Sequence, residues 1–290
     1  IEEFGPERIR DTPISETAFM GAAVGAASDG MRPVVELMFV DFFGVCFDAI
    51  YNLMAKNIYF SGGNVKVPVV LMTSTGGGYS DGGQHSQCLY ATFAHLPGMK
   101  VVCPSNAYDA KGLMVSAIRD NSPVIYMYHK GLQGMGWLGT EAGATVHVPE
   151  ETYMIPFGKG ALRRDGTDIV VLTWGALVQR SILAAQQAEK DGVSVAVFDL
   201  RTIIPYDWEG IAALVKKTSK VIIAHEDTLT CGFGAEIAAR IGEELFEFLD
   251  APVKRVAAMD CPVAYCPDLE EVILPQSADV LAAIKTLAAY

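Results

Sequence analysis

The apolar positions of this chain follow two alternating rhythms, one at helical spacing and one of short, near-continuous runs. From Glu16 to about Ser28, the residues Ala18, Gly21, Ala22, Gly25 and Ala26 form one helical stripe of small side chains, a surface that lets a second backbone come close. Ser15 stands ahead of it as the expected cap. Val34 to Met38 predicts a short strand, Val45 to Phe60 a second helix, and Val67 to Met72 a strand apolar on both faces, as a buried parallel sheet requires. Val101 to Cys103 reads as a strand ended by Pro104, followed by a helix capped by Ser105 whose Ala110, Leu113, Met114, Ala117 and Ile118 line one face. Pro123 to Tyr128 supplies another strand. A glycine-rich stretch from Gly131 to about Glu150 shows neither rhythm, and then the pattern restarts. Strands are predicted at Ile169 to Thr173, Val193 to Asp199, Val221 to Ala224 and Val253 to Ala258, with helices at 177–190, 208–218, 234–249 and before Tyr290. Strands separated by helices of this length need crossover connections. The expected fold class is therefore α/β, with mainly parallel sheets in two domains, 1–150 and 151–290.

Composition supports that picture and narrows the partners. A chain of 290 residues, 51% hydrophobic and 19% charged, has enough apolar material for two packed cores and little for a disordered tail. Its 22 basic and 34 acidic residues leave a net charge of −12, which opposes general attraction to nucleic acid or to an anionic membrane. The six cysteines show neither a CxxC pair nor zinc-type spacing, as expected for a reducing compartment. The longest apolar stretch, Leu37 to Phe47, is broken by Asp41 and falls well short of the roughly 20 residues of a membrane span. The chain opens at Ile1 without a methionine, so further residues are expected ahead of it.

The first candidate for chemistry is the run Gly76, Gly77, Gly78, Tyr79, Ser80, Asp81, Gly82, Gly83, which follows a strand as a nucleotide-binding loop would. It lacks the third glycine of a G-x-G-x-x-G register and has no Lys-Ser or Lys-Thr, so it reads as a flexible loop near a site. Gly232, Phe233, Gly234 fails the same test.

A different set of residues carries more information. Asp11, Thr12, Pro13, Ile14, Ser15, Glu16 precede the small-residue helix, then come Arg32, Pro33, Val34, Val35, Glu36 and later Gly83, Gln84, His85, Ser86, Gln87. With Val101 to Pro104, Asp109 to Gly112, Ile118 to Pro123, Leu200 to Pro205 and Leu249 to Pro252, these residues resemble the beta subunit of the thiamine-diphosphate-dependent first component of 2-oxo acid dehydrogenase complexes. The resemblance runs over nearly the whole chain. It implies a thiamine-binding-fold pyrimidine domain followed by a transketolase C-terminal domain. It also implies that Glu16 contacts a nitrogen of the cofactor's aminopyrimidine ring, that Phe42 stacks on that ring, and that His85 stands at the active-site entrance. A carboxyl sharing a proton with the ring nitrogen favours the imino tautomer that makes the cofactor its own base. On position alone, Glu16 is a first-turn acid suited to the helix dipole, Phe42 a core aromatic and His85 a packing residue. For His95 the structural reading is preferred, and for His129 the two readings are balanced.

The resemblance further implies a potassium site at Ala117, Ile118 and Asp120, near Ser122, although Asp120 could equally cap a turn. Thiamine enzymes hold magnesium and diphosphate through a Gly-Asp-Gly motif, and no such triplet occurs here; Arg164, Asp165, Gly166 and Ser28, Asp29, Gly30 both lack the leading glycine. Magnesium is therefore expected in a partner, the alpha subunit. The implied assembly is an α2β2 tetramer with a second beta subunit, docked, through a surface that includes Asp260, on a lipoyl-bearing acyltransferase core. The implied location is the cytoplasm, or an organelle matrix. The run Val35 to Cys46 looks more like acetoin dehydrogenase than mitochondrial-type pyruvate dehydrogenase beta subunits, and Trp137 to Val148 departs from both, so acetoin, pyruvate and branched-chain 2-oxo acids stay open as substrates. Two rival readings stand beside this one. The first is part of a single-chain transketolase-like or deoxyxylulose-phosphate-synthase-like enzyme, which would add about 100 to 200 residues rather than about 40 to 60. The second is a non-catalytic assembly subunit, which would have no use for Glu16 or His85.

Overall fold

The computed structural model describes residues 1–133 and 143–290. The first half supplies helix α1 (Glu16–Ser28), strand β1 (Val34–Phe39), short helix α2 (Asn57–Phe60), β2 (Val70–Thr75), α3 (Tyr90–Ala94), β3 (Lys100–Val102), α4 (Ala107–Arg119) and β4 (Val124–His129). The second supplies β5 (Ala161–Arg164), β6 (Ile169–Thr173), α5 (Leu177–Glu189), β7 (Val195–Asp199), β8 (Thr202–Ile204), α6 (Trp208–Thr218), β9 (Val221–Thr228), α7 (Phe233–Glu244), β10 (Lys254–Ala258), α8 (Pro267–Ile273) and α9 (Ser277–Ala288).

Two five-stranded sheets result, in the orders β1-β2-β4-β3-β8 and β10-β9-β6-β7-β5. Both are parallel except for β8 and β5, which pair antiparallel at one edge of each sheet. Strands β2, β4, β6 and β7 are buried almost end to end, so they lack alternation, as the continuous apolar runs foretold.

The two halves interlock. Strand β8 comes from the second half but completes the first sheet, with Val101 opposite Ile204. One apolar core runs through both, joining Leu37, Leu71 and Ile125 to Leu172, Trp174 and Ile223. A buried ionic cluster adds a second lock: Arg163 pairs with Asp109 and with Asp199 (2.7 Å), and Arg201 with Asp109 (2.8 Å).

Several local expectations need correction. The helix expected over Val45 to Phe60 is three pieces: a 3-10 turn at Val40–Cys46, a π turn at Ala49–Met54, and α2. Val40, Cys46, Ala49, Ile50 and Met54 are all buried, and the last four recur at helical spacing, which is why the stretch reads as one helix in sequence. Ser15 makes no cap bond, and its hydroxyl donates to the Pro13 carbonyl instead. Asn106, not Ser105, caps α4 by accepting from the Asp109 amide (2.9 Å), while Ser105 donates to Asp199 (2.6 Å) across the two halves. The strand expected at Val67 starts at Val70, and the helix expected to reach 249 ends at Glu244. Strands β5 and β8 and helices α3 and α8 carried no periodic signal that the sequence reading used. Of the unusual stretch Trp137 to Val148, residues 137–142 lie outside the described residues, and 143–148 hold no helix or strand.

Candidate active site

Phe42 and His85 gather where strand β1 of the first sheet ends, whereas Ala117, Ile118 and Asp120 lie by the start of β3 at the other end. Strand β1 delivers Phe39 to the sheet's C-terminal edge, and the chain turns at once into the Val40–Cys46 3-10 turn carrying Phe42. His85 meets both rings edge-on, at centroid separations of 5.0 Å to Phe39 and 5.5 Å to Phe42, and the two phenylalanines meet each other at 5.6 Å. All three are half-buried, which leaves ring surface open on one side.

Glu16 borders the same turn from α1. Thr17 Oγ1 donates to the Val45 carbonyl (2.6 Å), tying the start of the helix to the turn. The Cys46 thiol is pushed up to about 11, first by burial and then by the neighbouring Glu16 carboxylate. Glu16 itself is half-buried and has no hydrogen-bond or ion-pair partner among the described residues. Asp41 presents a further opening: its Oδ1 accepts from the Gln87 amide and side chain (3.2 and 2.9 Å), whereas Oδ2 is buried without a partner.

Beneath this edge lies a buried polar network. The Glu226 carboxylate, at the end of β9, takes the His129 Nε2–H (2.9 Å), the Gly77 amide (2.8 Å) and Arg180 (3.3 Å). The Gly131 amide donates to His129 Nδ1 (3.0 Å), which places the ring proton on Nε2, facing the carboxylate. Burial opposes a charge on Glu226, but the His129 ring, Arg180 and the Gly77 amide outweigh it and hold the carboxyl at about 2. Lys130, also buried, donates to Asp81 and to the His85 carbonyl, both at 2.6 Å, with its ammonium over the Phe39 ring.

Residues 2–135 match the transketolase pyrimidine binding domain, and residues 158–280 match the transketolase C-terminal domain. The chain is 42% identical over 279 residues to the acetoin:2,6-dichlorophenolindophenol oxidoreductase subunit beta of Cupriavidus necator, covering 96% of this chain and 80% of that one. It is 40% identical over 290 residues to the pyruvate dehydrogenase E1 component subunit beta of Rickettsia conorii, covering 100% and 86%. The chain belongs to this family of beta subunits. A solved structure described as split gene transketolase, inactive beta4 tetramer, shares the fold, with a TM-score of 0.80 at 24% identity over 99% of this chain and 86% of that one.

In this beta subunit, a free carboxyl bordering the turn that carries Phe42, and an imidazole in edge contact with that ring, are groups of the kind a flat, nitrogen-bearing ring such as the aminopyrimidine can use. The other end of thiamine diphosphate finds no such donors in the glycine-rich loop. Its amides at Gly77, Gly78, Tyr79 and Ser80 are all spent on Glu226 and Glu270. Among the described residues no group of three or more His, Cys, Asp or Glu side chains is arranged to hold a metal ion.

The segment assigned to potassium by resemblance does not fit that ion as folded. Arg32 donates to the Ile118 and Asp120 carbonyls (2.9 and 2.8 Å), and the Ala117 carbonyl accepts the Asp120 amide (3.3 Å). The Asp120 carboxylate pairs with Lys100 and caps the turn at the Ser122 amide (2.8 Å). Arg32 and Lys100 thus engage the Ile118 and Asp120 acceptors, and the Asp120 amide engages that of Ala117. His95 is exposed at the end of α3, while His129 is part of the network with Glu226. Asp260 is exposed and accepts from the Thr230 amide and hydroxyl (2.8 and 2.6 Å).

Phe39, Lys130, Glu226 and Glu270 join the site without a sequence motif that marks them. Lys130 directly follows β4, and ligand sites in parallel sheets lie at the carboxyl ends of strands, so that signal was available. The two glutamates carried none, because their partners, the His129 and Arg180 side chains and the loop amides, lie 46 to 192 residues away in sequence.

Proposed function

We propose that this chain is the beta subunit of an acetoin or 2-oxo acid dehydrogenase and supplies the aminopyrimidine side of a thiamine diphosphate site that an alpha subunit completes. The observation that carries the reading is the unpartnered, half-buried Glu16 carboxyl, which faces Cys46 of the same turn that carries Phe42, whose ring meets His85 and Phe39. When bound, the cofactor supplies a carbanion centre at its thiazolium carbon. Glu16 holds a proton at the aminopyrimidine ring nitrogen. Phe42 offers that ring an apolar face, and the aromatic edge keeps water from it. His85 holds or delivers a proton at its imidazole nitrogen where the acyl group leaves for a lipoyl arm.

The diphosphate and its magnesium fall to the alpha subunit, since the glycine-loop amides here are already engaged. The outward face of α1 supports an assembly of alpha and beta chains, α2β2. Its small residues Gly21 and Gly25 have nothing within 4 Å of where a Cβ would sit, and Ile14 just ahead of the helix is 96% exposed. A lipoyl-bearing acyltransferase core is the further partner, and the cytoplasm or an organelle matrix the setting. No helix among the described residues is long and apolar enough to cross a membrane.

The test is Glu16→Gln in the complex reconstituted with its alpha subunit, read as deuterium exchange at the thiazolium carbon before substrate is added. Glutamine keeps the size but cannot share the proton, so exchange should fall about 10²- to 10⁴-fold while assembly persists. Unchanged exchange in an assembled mutant rejects the role. Turnover with acetoin, pyruvate and a branched-chain 2-oxo acid then separates the substrates.

A further inference from the structure

The loop that carries His85 contains five glycines between Gly76 and Gly83, and a chain so free of side chains has little intrinsic preference for one conformation. Left to itself it would not hold an imidazole within the fraction of an ångström that proton transfer requires. Its order comes from elsewhere. Glu270 Oε1 accepts the amides of Gly78 (2.7 Å) and Tyr79 (3.2 Å), and Oε2 accepts that of Ser80 (2.8 Å). Glu270 lies in α8, in the second half of the chain, and is only 3% exposed.

The rest of the loop rests on the same segment. A Cβ on Gly77 would lie 2.7 Å from Leu274 and one on Gly83 3.0 Å from Pro262, while one on Gly82 would enter the Tyr265 ring. The base is closed by the Gly76 amide donating to the Gln87 carbonyl (3.0 Å), and Lys130 fixes the far end through Asp81 and the His85 carbonyl. From Gly78 to Gly83, then, the loop takes its shape from residues 262–270.

We propose that Glu270 is a positioning residue for His85: by gathering three consecutive amides of the glycine-rich loop, it sets where the imidazole stands at the cofactor edge. This rests on the reading of His85 given above. The C-terminal domain thereby acts on the chemistry through the loop, without touching cofactor or substrate.

The experiment has two arms. In the purified chain, hydrogen exchange of residues 76–86 and ring resonances of the five histidines are compared for wild type, Glu270→Gln and Glu270→Ala. A buried carboxylate taking three part-buried amides is a strong acceptor, so its removal should cost about tenfold or more in loop protection. Glu270→Gln keeps one acceptor oxygen and should fall between wild type and Glu270→Ala. The His85 resonance should move or broaden in the same order, while those of exposed His95 and His147 stay in place.

In the complex reconstituted with its alpha subunit, kcat should fall about 10²-fold with little change in KM, as expected for a misplaced group. The pH profile should lose the same limb that His85→Asn removes, and His85→Asn combined with Glu270→Gln should be no worse than His85→Asn alone. Thiazolium deuterium exchange, assigned to Glu16, should be unaffected. Should both Glu270 variants fail to fold, Tyr265→Ala removes the seat of Gly82 from a side chain that is 64% exposed, and the His85 resonance should still shift.

An unmoved His85 resonance in variants that have lost loop protection overturns the proposal, as does an unchanged kcat and pH profile. The two arms also separate its failure from that of the functional reading. A wild-type complex without thiamine-dependent turnover overturns the function, and with it any catalytic meaning of the positioning. The resonances would still decide whether Glu270 sets the place of His85.

Discussion

Replacing Glu226 by glutamine tests the buried network that joins the two halves under the candidate site. Glutamine keeps the shape but not the charge. Its carbonyl can accept from the Gly77 amide or from His129 Nε2–H, whereas its NH2 must then face a second donor, from His129 or Arg180. Removing one partner of a buried pair typically costs about 3–5 kcal/mol. The titration gives a second figure. A carboxyl held at about 2 against an ordinary 4.5 contributes about 3 kcal/mol, at about 1.4 kcal/mol per pH unit. Because the folded value is depressed, that contribution is full above pH 4.5 and is lost as pH falls toward 2. Urea unfolding of wild type and Glu226→Gln at pH 7 should therefore show a loss of about 3 kcal/mol in the first transition. In a thermal scan this corresponds to a decrease on the order of 10 °C. The gap should narrow as pH is taken below 4.5 toward the acid limit of the folded chain. A gap below about 1 kcal/mol at pH 7, or one that stays constant into acid, refutes the assignment of Glu226 as the buried charge that His129 and Arg180 stabilise.

His225 is buried against Trp174, with ring centroids 5.2 Å apart, and burial pushes it down to about 4; stability should thus fall as pH drops from 6.5 toward 4, and His225→Phe should flatten that part of a Tm-against-pH curve. Gly76→Ala should destabilise by about 2–4 kcal/mol in urea unfolding, because φ is +87° and a Cβ there would collide with the His129 ring and come within 2.8 Å of Glu226. Asp120→Ala should cost about 1–2 kcal/mol by loss of the Lys100 pair and the turn cap. That loss should be the same in sodium and potassium buffers, and a potassium-specific loss would restore the ion to that segment.

How much of this was legible beforehand depends on the range over which each feature is decided. The α/β class and the buried strands β2, β4, β6 and β7 follow from apolar spacing, because burial of both strand faces is written into neighbouring residues. Helix α1, in contrast, was expected from a small-residue stripe that faces outward, its buried face being Met20, Ala23, Val24 and Ala27. Glu16, Phe42 and His85 could be singled out because their motifs are contiguous, and the fold brings Phe42 and His85 into ring contact and seats Glu16 beside the same turn. The broken course of 40–60 is not legible locally, since the spacing of Cys46, Ala49, Ile50 and Met54 equally suits one unbroken helix. Ser105 looked like a helix cap until Asp199, 94 residues away, claimed its hydroxyl. Arg32 gave no sign in sequence of reaching the carbonyls of 118 and 120. The glycine-rich loop is the clearest division. Its composition declares freedom and nothing more, while its amides are held by Glu226 and Glu270 from the second half of the chain, because backbone amides must be paired and only the tertiary fold decides with what.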